Sequence, residues 1–459
     1  MMMTGKERVL RALQFQDVDR VPWVPFTGVH VARLVDTDAA TLLRDPEVLV
    51  EGVEKAAERY CADGVCSTFD LQVEAEVLGC ELRWAKNNPP SVVGHVLADK
   101  SKSVTDLPEF TKEGGRLPLM FEATRRLVKE IGDETAVFGL CCGPFTLALH
   151  LRGSAFIMDM VKKPEEAKEV LEFCSEITRR MGEWYMETGA HVVAVVDPMT
   201  SQISPRHFET FVTPYVKPVI DEVNNKGGIV TLFCCGNATK NIELMMQSKP
   251  HAIAFDEQVD LNFVKDLAHK YKVAFEGNIP LTTTLLFGSP KECVEDARHR
   301  IETGGRKGYI LSPGCDLPFD TPVYNLEAVG RYATMGEEPS ETQGFLSLED
   351  ALAHAQESGD VLEDVEIEPG KVFVEIVTLD SEGCAPCQYM CEAVAEVAPH
   401  YGDKLAWRES LIKSAAGIMR TKALGVSTLP TMLINNEVVF DNIVPTPEEL
   451  MKEIDKRLE

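Results

Sequence analysis

Two sets of cysteines are the residues of this chain best suited to chemistry. One apolar run of strand length ends at Cys234 and Cys235, and another, further along the chain, is followed by Cys315. Such runs, when they stop at glycine or proline, are typical of strands whose last side chains meet at one edge of a parallel sheet. Two thiols at that edge can hold a soft metal ion or exchange electrons. The second set is Cys384 and Cys387, close to the end of the sequence.

Carboxylates and one amide follow other apolar runs. Asp70, Asp197, Glu257 and Asn278 stand at or just beyond the ends of these runs, where parallel sheets carry their sites. We expect Asp70, Asp197 and Asn278 to contact substrate, because acidic groups bind a cation or orient a hydroxyl. Asp197 has a structural alternative, as a cap for the turn at Pro198.

Length, charge and cysteine count limit the class of protein. The chain has 459 residues and a formal net charge of −27, so we expect neither nucleic acid nor an anionic membrane as a partner. Apolar runs are too short for a membrane span, and the first residues lack a secretory signal. Thirteen cysteines are too few for a disulfide scaffold. We therefore expect thiols kept reduced in the cytoplasm.

The elements that position these residues alternate between strand and helix over the first three quarters of the chain. Alternation of this kind predicts a parallel sheet, and eight repeats predict a (β/α)8 TIM barrel. A helix with Thr4 as its N-cap precedes the first strand. The eight expected strands are Val21–Thr27, Gly64–Phe69, Ala136–Cys142, His191–Asp197, Gly228–Cys235, Ala252–Asp256, Val273–Glu276 and Gly308–Leu311.

Three parts of the chain follow from this pattern. The barrel is expected over residues 1–335, an acidic linker with a short helix at Leu346–Glu357 over 336–370, and a small α/β domain over 371–459. In the small domain strands and helices alternate. They are the strand Lys371–Thr378, the helix Cys384–Ala398, the strand Lys404–Glu409, the helix Ala415–Leu424, the strand Thr431–Phe440 with a turn at Asn435-Asn436, and the helix Thr446–Leu458.

The small domain resembles the thioredoxin superfamily. A Cys-Ala-Pro-Cys motif opens a helix directly after a strand, and Leu429-Pro430 precedes a later strand. The resemblance implies a dithiol with Cys384 as the attacking and Cys387 as the resolving thiol, and a cis peptide bond before Pro430. An inactive docking module with the same fold is the alternative.

The first 335 residues resemble the uroporphyrinogen decarboxylase superfamily, and within it the corrinoid-dependent zinc methyltransferases of the methylcobamide:coenzyme M type. The arginine-rich signature of the decarboxylases is missing, since Val24–Gly28 stands in its place, so porphyrinogen decarboxylation is disfavoured. The motifs that carry the resemblance are Asp19–Pro22, Gly143–Ala148, Ile203–Pro205 with Phe208, Cys235–Asn237 and Ser312–Pro318.

This resemblance implies a zinc site made by a His-x-Cys pair and a distant cysteine. Cys235 and Cys315 match the two cysteines, but Phe233 stands at the histidine position and cannot bind a metal. Glu257 is the preferred third ligand, because zinc accepts a carboxylate beside thiolates. Cys234 is held in reserve, since in a regular strand its side chain points away from that of Cys235.

The expected activity is methyl transfer between a corrinoid and a small thiol or methylated substrate, assisted by zinc. The corrinoid would be carried by a separate partner protein, because nothing in the chain resembles a cobalamin-binding module. Two alternatives stay open: a thiol–disulfide oxidoreductase whose barrel binds the substrate, and a non-catalytic adaptor for a corrinoid protein. The small domain could also reduce the barrel cysteines or deliver electrons towards cobalt.

Overall fold

The larger sheet contains seven parallel strands. The structure is a computed structural model and describes residues 3–99, 101–339, 348–358 and 361–458. The strand order is β1-β4-β5-β6-β7-β8-β9, so each strand pairs with the next one along the chain apart from a short hairpin, β2–β3. The strands are β1 Gly64–Cys66, β2 Glu81–Arg83, β3 Ser91–Gly94, β4 Ala136–Cys142, β5 Val192–Val196, β6 Val230–Cys234, β7 Ala252–Phe255, β8 Ala274–Ile279 and β9 Tyr309–Pro313.

An extended segment around Trp23 joins the two edges of this sheet. The backbone N–H of Val24 donates to the Leu311 carbonyl of β9 (3.0 Å), and the N–H of Asp63, just before β1, donates to the Trp23 carbonyl (2.9 Å). The sheet therefore curls until its first and last strands share one connecting segment. The fold is a TIM-barrel-like α/β fold, which confirms the expected class for this part of the chain.

The first expected strand, Val21–Thr27, is wrong as a regular strand. Within it only Trp23 makes a β-bridge, to Leu311 of β9. Pro22 and Pro25 have no N–H group, so the segment cannot donate the regular series of hydrogen bonds that a strand needs. The other seven expected strands are present, with ends shifted by at most a few residues.

Helices surround this sheet, and the first begins where the sequence predicts. The Thr4 side chain accepts a hydrogen bond from the backbone N–H of Glu7 (3.1 Å), as an N-cap does. The helices are α1 Gly5–Leu13, α2 Ala39–Leu42, α3 Pro46–Arg59, α4 Val73–Val77, α5 Leu117–Glu130, α6 Pro144–Arg152, α7 Ala155–Lys162, α8 Pro164–Glu187, α9 Pro205–Phe211, α10 Thr213–Asn225, α11 Ile242–Gln247, α12 Leu261–Tyr271, α13 Pro290–Gly304 and α14 Val323–Met335. No helix in the described part of the chain combines the length and apolar character that a membrane crossing needs.

The interior of the barrel is filled by alternate residues of its strands. Phe138 and Leu140 of β4 and Ala194 and Val196 of β5 pack in one buried cluster, together with Phe233 of β6. Residues on the other face of these strands, such as Val193 and Val195 of β5, belong to a second cluster, which packs the sheet against the helices. Because side chains occupy the interior, a ligand has room only at the mouth of the barrel.

The C-terminal unit has its own four-stranded sheet, in the order β11-β10-β12-β13. Strand β10 Val372–Thr378 is parallel to β11 Leu405–Leu411 and antiparallel to β12 Thr431–Ile434, which pairs with β13 Glu437–Asp441. The expected turn at Asn435-Asn436 is confirmed, and both residues have positive φ (53° and 64°). The helices are α15 Leu348–Ser358, α16 Ala385–Tyr401, α17 Ala415–Ala423 and α18 Pro447–Leu458. The expected start of α15 at Leu346 lies outside the described residues.

The C-terminal unit lies over the mouth of the barrel. The backbone N–H of Leu429 donates to Oε1 of Gln258 (2.9 Å), which follows β7. On another side, Nδ2 of Asn88 donates to Oδ2 of Asp380 (3.0 Å), and Nε2 of Gln388 donates to the carbonyl of a β3 residue (2.6 Å). Hydrogen bonds from separate parts of the small unit therefore fix it above the carboxyl ends of the barrel strands.

Candidate functional site

Cys235 and Cys315 form a disulfide at the mouth of the barrel. Cys235 directly follows β6 and Cys315 stands two residues after β9, and their Cα atoms are 5.9 Å apart. Asp256, at the end of β7, fixes the turn after Cys235, because the N–H of Gly236 donates to its Oδ2 (2.9 Å). The φ of Gly236 is +79°, a conformation that favours glycine. The ends of strands β6, β7 and β9 thus position the cysteine pair.

Two further carboxyl groups lie beside this pair. Glu257 packs against Gly314, the residue before Cys315, and its Oε2 is buried without a hydrogen-bond partner. Oδ1 of Asp316 is buried and unpartnered as well. Burial raises the pKa of both carboxyls well above their usual range, and the Asp256 charge raises that of Glu257 further. The site therefore holds acidic groups that resist ionisation until a cation or a hydrogen-bond donor approaches.

The second disulfide, Cys384–Cys387, stands at the beginning of α16. Cys384 is the N-cap residue and is half-buried, whereas Cys387 is fully buried. The backbone N–H of Cys384 donates to the Asp380 carbonyl (2.9 Å), which fixes the loop before the helix. The Leu429-Pro430 peptide bond is cis, and Pro430 lines the same cavity as the disulfide.

Both disulfides line one cavity between the barrel and the C-terminal unit. Its volume is about 150 Å³. Lys413 is the only cationic side chain among the described residues that line it, and its ammonium group pairs with Asp380. The barrel contributes three acidic residues, Asp256, Glu257 and Asp316. The cavity therefore has room for a small molecule and offers no unpaired cation among its described lining residues.

Phe233, at the position where the resemblance implies a histidine, is buried inside the barrel. Its ring lies 4.9 Å from that of Phe26 and 5.9 Å from that of Phe69, measured between ring centroids. An aromatic cluster thus occupies the place of the missing ligand. The oxidised pair does not fit zinc, because a disulfide offers no thiolate. In the described part of the chain, no three His, Cys, Asp or Glu side chains are arranged to hold a metal ion.

Cys234 is not part of the pair. Its side chain is buried on the other face of β6, and its sulfur lies 3.2 Å from Oγ1 of Thr200. Burial raises the pKa of the Cys234 thiol to about 12, so it stays protonated at neutral pH. The regular alternation of β6 continues to its last residue, and this keeps Cys234 out of the cavity.

The three residues expected to bind substrate have structural partners instead. Asp70 pairs with Arg116 (2.6 Å). Asp197 accepts hydrogen bonds from the backbone N–H groups of Phe145 and Thr146 (3.2 and 2.8 Å) and so caps α6, not the turn at Pro198. Asn278 donates through Nδ2 to two carbonyls of the loop after β7. None of the three lines the cavity described above, and their contact with substrate stays a prediction.

Other lining residues were missed by sequence reasoning. Asp316 directly follows Cys315, and Gln258 directly follows Glu257, so proximity to strand ends could have singled out both. Lys413 and Asp380 belong to loops of the C-terminal unit, and no sequence signal relates these loops to the barrel mouth.

A TIM-barrel-like enzyme with a cysteine pair at its strand ends is the class that fold and site define. The chain belongs to the uroporphyrinogen decarboxylase (URO-D) family, whose model matches residues 4–334. It is 29% identical to the methylcobamide:CoM methyltransferase MtbA of Methanosarcina acetivorans, over 71% of this chain and 96% of that protein. A solved methyltransferase from Methanosarcina mazei superposes with a TM-score of 0.66 at 26% identity, covering 72% of this chain and 98% of that one.

Decarboxylases of the family match a smaller part of the chain. The uroporphyrinogen decarboxylase of Carboxydothermus hydrogenoformans is 27% identical over 62% of this chain and 82% of its own length. Similarity to methyltransferases extends further, and several of them match at 26–29% identity. The expectation of a corrinoid-dependent methyltransferase and not a decarboxylase is thereby confirmed.

Proposed function

We propose that the chain transfers a methyl group between the cobalt of a corrinoid and a small thiol or methylated compound held at Cys235 and Cys315. The observation that carries this proposal is the meeting of these two cysteines at the barrel mouth of a chain related to methylcobamide:CoM methyltransferases. The reaction is an in-line displacement: the methyl carbon leaves one atom as the other attacks from the opposite side. Positioning and exclusion of water are then the main contributions of the protein.

The corrinoid is brought by a separate protein. A cavity of about 150 Å³ accommodates a ligand the size of benzene, and a corrinoid ring is several times larger. The cobalt must therefore be presented at the barrel mouth, which the C-terminal unit covers in this structure. Docking of the partner requires that this unit move aside, and the chain between α14 and α15 is the proposed tether.

The C-terminal unit, residues 371–459, is proposed to be a thioredoxin-like module. A dithiol at the beginning of a helix that follows a strand, the mixed four-stranded sheet and a proline beside the dithiol all support this assignment. Cys384 is the proposed attacking thiol and Cys387 the resolving one, as their difference in exposure suggests.

The small substrate is proposed to be neutral or cationic. Burying an anion is costly unless a cation pairs with it, and none of the described barrel residues that line the cavity is a lysine or an arginine, so the barrel offers no such partner when the C-terminal unit has moved aside. A sulfonate such as that of coenzyme M would lack a partner beside Glu257 and Asp316. The methyl acceptor or donor of this chain is therefore expected to differ in charge from CoM, the compound in the names of the relatives.

Zinc assistance is confined to the reduced state of the pair. Reduction would turn Cys235 and Cys315 into two thiolate donors beside the unpartnered Oε2 of Glu257. Bound zinc would supply Lewis-acid chemistry, and these three residues would hold it. No part of the methyl transfer proposed above depends on it.

The proposed function is tested by methyl transfer from methylcob(III)alamin to 2-mercaptoethanol under reducing conditions. Cys235→Ala and Cys315→Ala should each lower the rate roughly 100-fold, the size of effect expected when reacting groups lose their positions. Cys61→Ala is the matched control, since Cys61 is a free, half-buried cysteine that does not line the cavity. Equal rates in all four proteins would refute the proposal.

A second candidate is a thiol–disulfide oxidoreductase acting on an external substrate. It is favoured by the presence of both disulfides in one cavity. Reduction of an added small disulfide, with no methyl transfer from methylcob(III)alamin, would support this function over the first.

A further inference from the structure

The cysteines that form disulfides in this chain are the ones that line the cavity. Cys235, Cys315, Cys384 and Cys387 line it, and these four form the two disulfides. Nine other cysteines are free, and none of them lines the cavity. Eight of the nine are buried, so a redox reagent has poor access to them. The cysteines that form disulfides are thus concentrated at one place, two from the barrel and two from the C-terminal unit.

We infer that the Cys384/Cys387 dithiol reduces the Cys235–Cys315 disulfide of the same chain. The thiolate of Cys384 attacks one barrel sulfur, so that a mixed disulfide forms and the other barrel sulfur leaves as a thiolate. The Cys387 thiolate then attacks Cys384, the mixed disulfide breaks and the second barrel thiolate is released. The barrel pair gains two electrons and the C-terminal pair loses two. A small-molecule dithiol is the reductant that restores Cys384 and Cys387.

The surroundings of the C-terminal pair suit this direction of attack. Cys384 is half-buried and stands at the N-terminus of a 17-residue helix, whose dipole stabilises a thiolate. Cys387 is fully buried one turn further on, as a resolving thiol should be. Cys391, a turn beyond, is buried as well, and burial raises the pKa of its thiol to about 12, so it is a poor nucleophile.

Contacts at the edge of the cavity hold the two pairs towards each other. Leu429, beside Pro430, donates to Gln258, which follows Glu257 (2.9 Å). Asp380, four residues before Cys384, accepts from Asn88 (3.0 Å), and both residues also line the cavity. Attachment to one chain also raises the effective concentration of each pair at the other. The barrel disulfide is therefore the substrate best placed for this dithiol.

This inference deepens the proposed function, on which it rests for the role of the barrel pair. The same position of the C-terminal unit that permits exchange also covers the barrel mouth. The C-terminal unit therefore cannot reduce the Cys235–Cys315 pair while a corrinoid protein is docked at the mouth. The unit would repair the oxidised pair when it is seated and leave the mouth open for methyl transfer when it moves away.

Trapping of the mixed disulfide tests the inference without measuring methyl transfer. In full-length Cys387→Ser the resolving thiol is missing, so after oxidation, acid quenching and alkylation we expect a Cys384 peptide linked to a Cys235 or Cys315 peptide in the mass spectrum. Cys391→Ser is the matched control on the same helix and should show no such link. Absence of the link in Cys387→Ser would overturn the inference.

Reduction kinetics provide the second arm. With limiting dithiothreitol, the barrel disulfide should be reduced at least about tenfold more slowly in Cys384→Ser and in Cys384→Ala than in the unmodified chain, because reduction then lacks the intramolecular route. Reduction at the unmodified rate in both variants would overturn the inference. Neither arm uses cobalamin, so failure here leaves the methyl-transfer proposal to its own test.

Discussion

Cys235 and Cys315 lie with their Cα atoms 5.9 Å apart although 80 residues separate them in the chain. Cys235 follows β6 and Cys315 follows β9, and strands β7 and β8 lie between these two strands in the sheet. Asp256 fixes the turn on one side of the pair, and Glu257 packs against the residue before Cys315 on the other. The pair is thus a product of the barrel itself and is independent of the C-terminal unit.

The charge of the cavity predicts a preference among thiols of similar size. We expect 2-mercaptoethanol to be used at a KM at least roughly tenfold lower than that of 2-mercaptoethanesulfonate, which corresponds to about 1.4 kcal/mol. The sulfonate must lose water without gaining a cationic partner, since none of the described barrel residues that line the cavity is a lysine or an arginine. Steady-state kinetics with methylcob(III)alamin measure the difference. A lower KM for the sulfonate would show that an anion is bound.

Zinc binding should depend on the redox state of the barrel pair. We expect about one zinc ion per reduced chain and none in the oxidised chain, because only the reduced pair offers thiolates to a tetrahedral site. Elemental analysis before and after anaerobic reduction measures this. Loss of the metal in Cys315→Ala, but not in Cys293→Ala, would place it at the barrel mouth. Stoichiometric zinc in the oxidised chain would contradict the expectation.

Asp63 should be important for the stability of the barrel. It is buried, pairs with Arg8 and Arg20 (both 2.6 Å), and accepts from the N–H of Trp23 (2.9 Å), in the segment that joins the sheet edges. Asp63→Asn leaves Arg8 buried with less compensating charge and should lower the free energy of unfolding by roughly 3 kcal/mol. Chemical denaturation measures the loss.

Asp320→Asn is the control for this stability experiment. Asp320 is exposed, and among the described residues it pairs with one surface arginine, Arg33, at 3.3 Å. We expect no measurable change in the free energy of unfolding, because exposed ion pairs contribute little. Equal losses in the two variants would mean that burial of the Asp63 pairs is unimportant.

Because His150 is buried, the folded protein should lose stability as the pH falls below 6.5. Burial lowers the pKa of its imidazole from 6.5 to about 3, so in this range the unfolded chain takes up a proton that the folded chain refuses. The free energy of unfolding should therefore fall by about 1.4 kcal/mol per pH unit from this group as pH decreases from 6.5. Between pH 7.5 and pH 5.0 its contribution is roughly 2 kcal/mol.

His150→Gln should remove that part of the pH dependence, whatever it does to stability at pH 7.5. The matched control is His400→Gln, since His400 is exposed on α16. Denaturation curves at the two pH values measure the difference. An unchanged pH dependence in His150→Gln would contradict the expectation. The experiment also concerns the contact between the two units, because the Tyr389 hydroxyl lies 3.3 Å from Nδ1 of His150.

The barrel strands could be predicted because their apolar runs are fully buried and end at turn-forming residues. Ala136–Cys142 is predicted and observed with the same bounds. The segment at Trp23 was mistaken for a strand because its apolar composition concealed what Pro22 and Pro25 do to hydrogen bonding. An apolar pattern indicates that a segment is buried, but a regular strand also requires backbone N–H groups that donate hydrogen bonds.

The site was harder to predict than the fold. Residue position at a strand end predicts proximity to the mouth, but it does not reveal which partner a side chain finds. Asp70 and Asp197 stand at the strand ends where they are expected. The carboxylate of Asp70 pairs with Arg116, and that of Asp197 accepts a hydrogen bond from the N-terminus of α6. The placement of the C-terminal unit over Cys235 and Cys315 depends on contacts such as Leu429 to Gln258, which leave no periodic trace in the sequence.

The most direct measurement is methyl transfer from methylcob(III)alamin with the Cys235–Cys315 pair first oxidised and then reduced in one preparation. It is best made on the Cys384→Ser, Cys387→Ser double variant, so that the C-terminal dithiol plays no part. We expect transfer to be absent with the disulfide intact and to appear in proportion to the free Cys235 and Cys315 thiols. Equal rates in the two states would contradict the claim that this pair is the reacting centre.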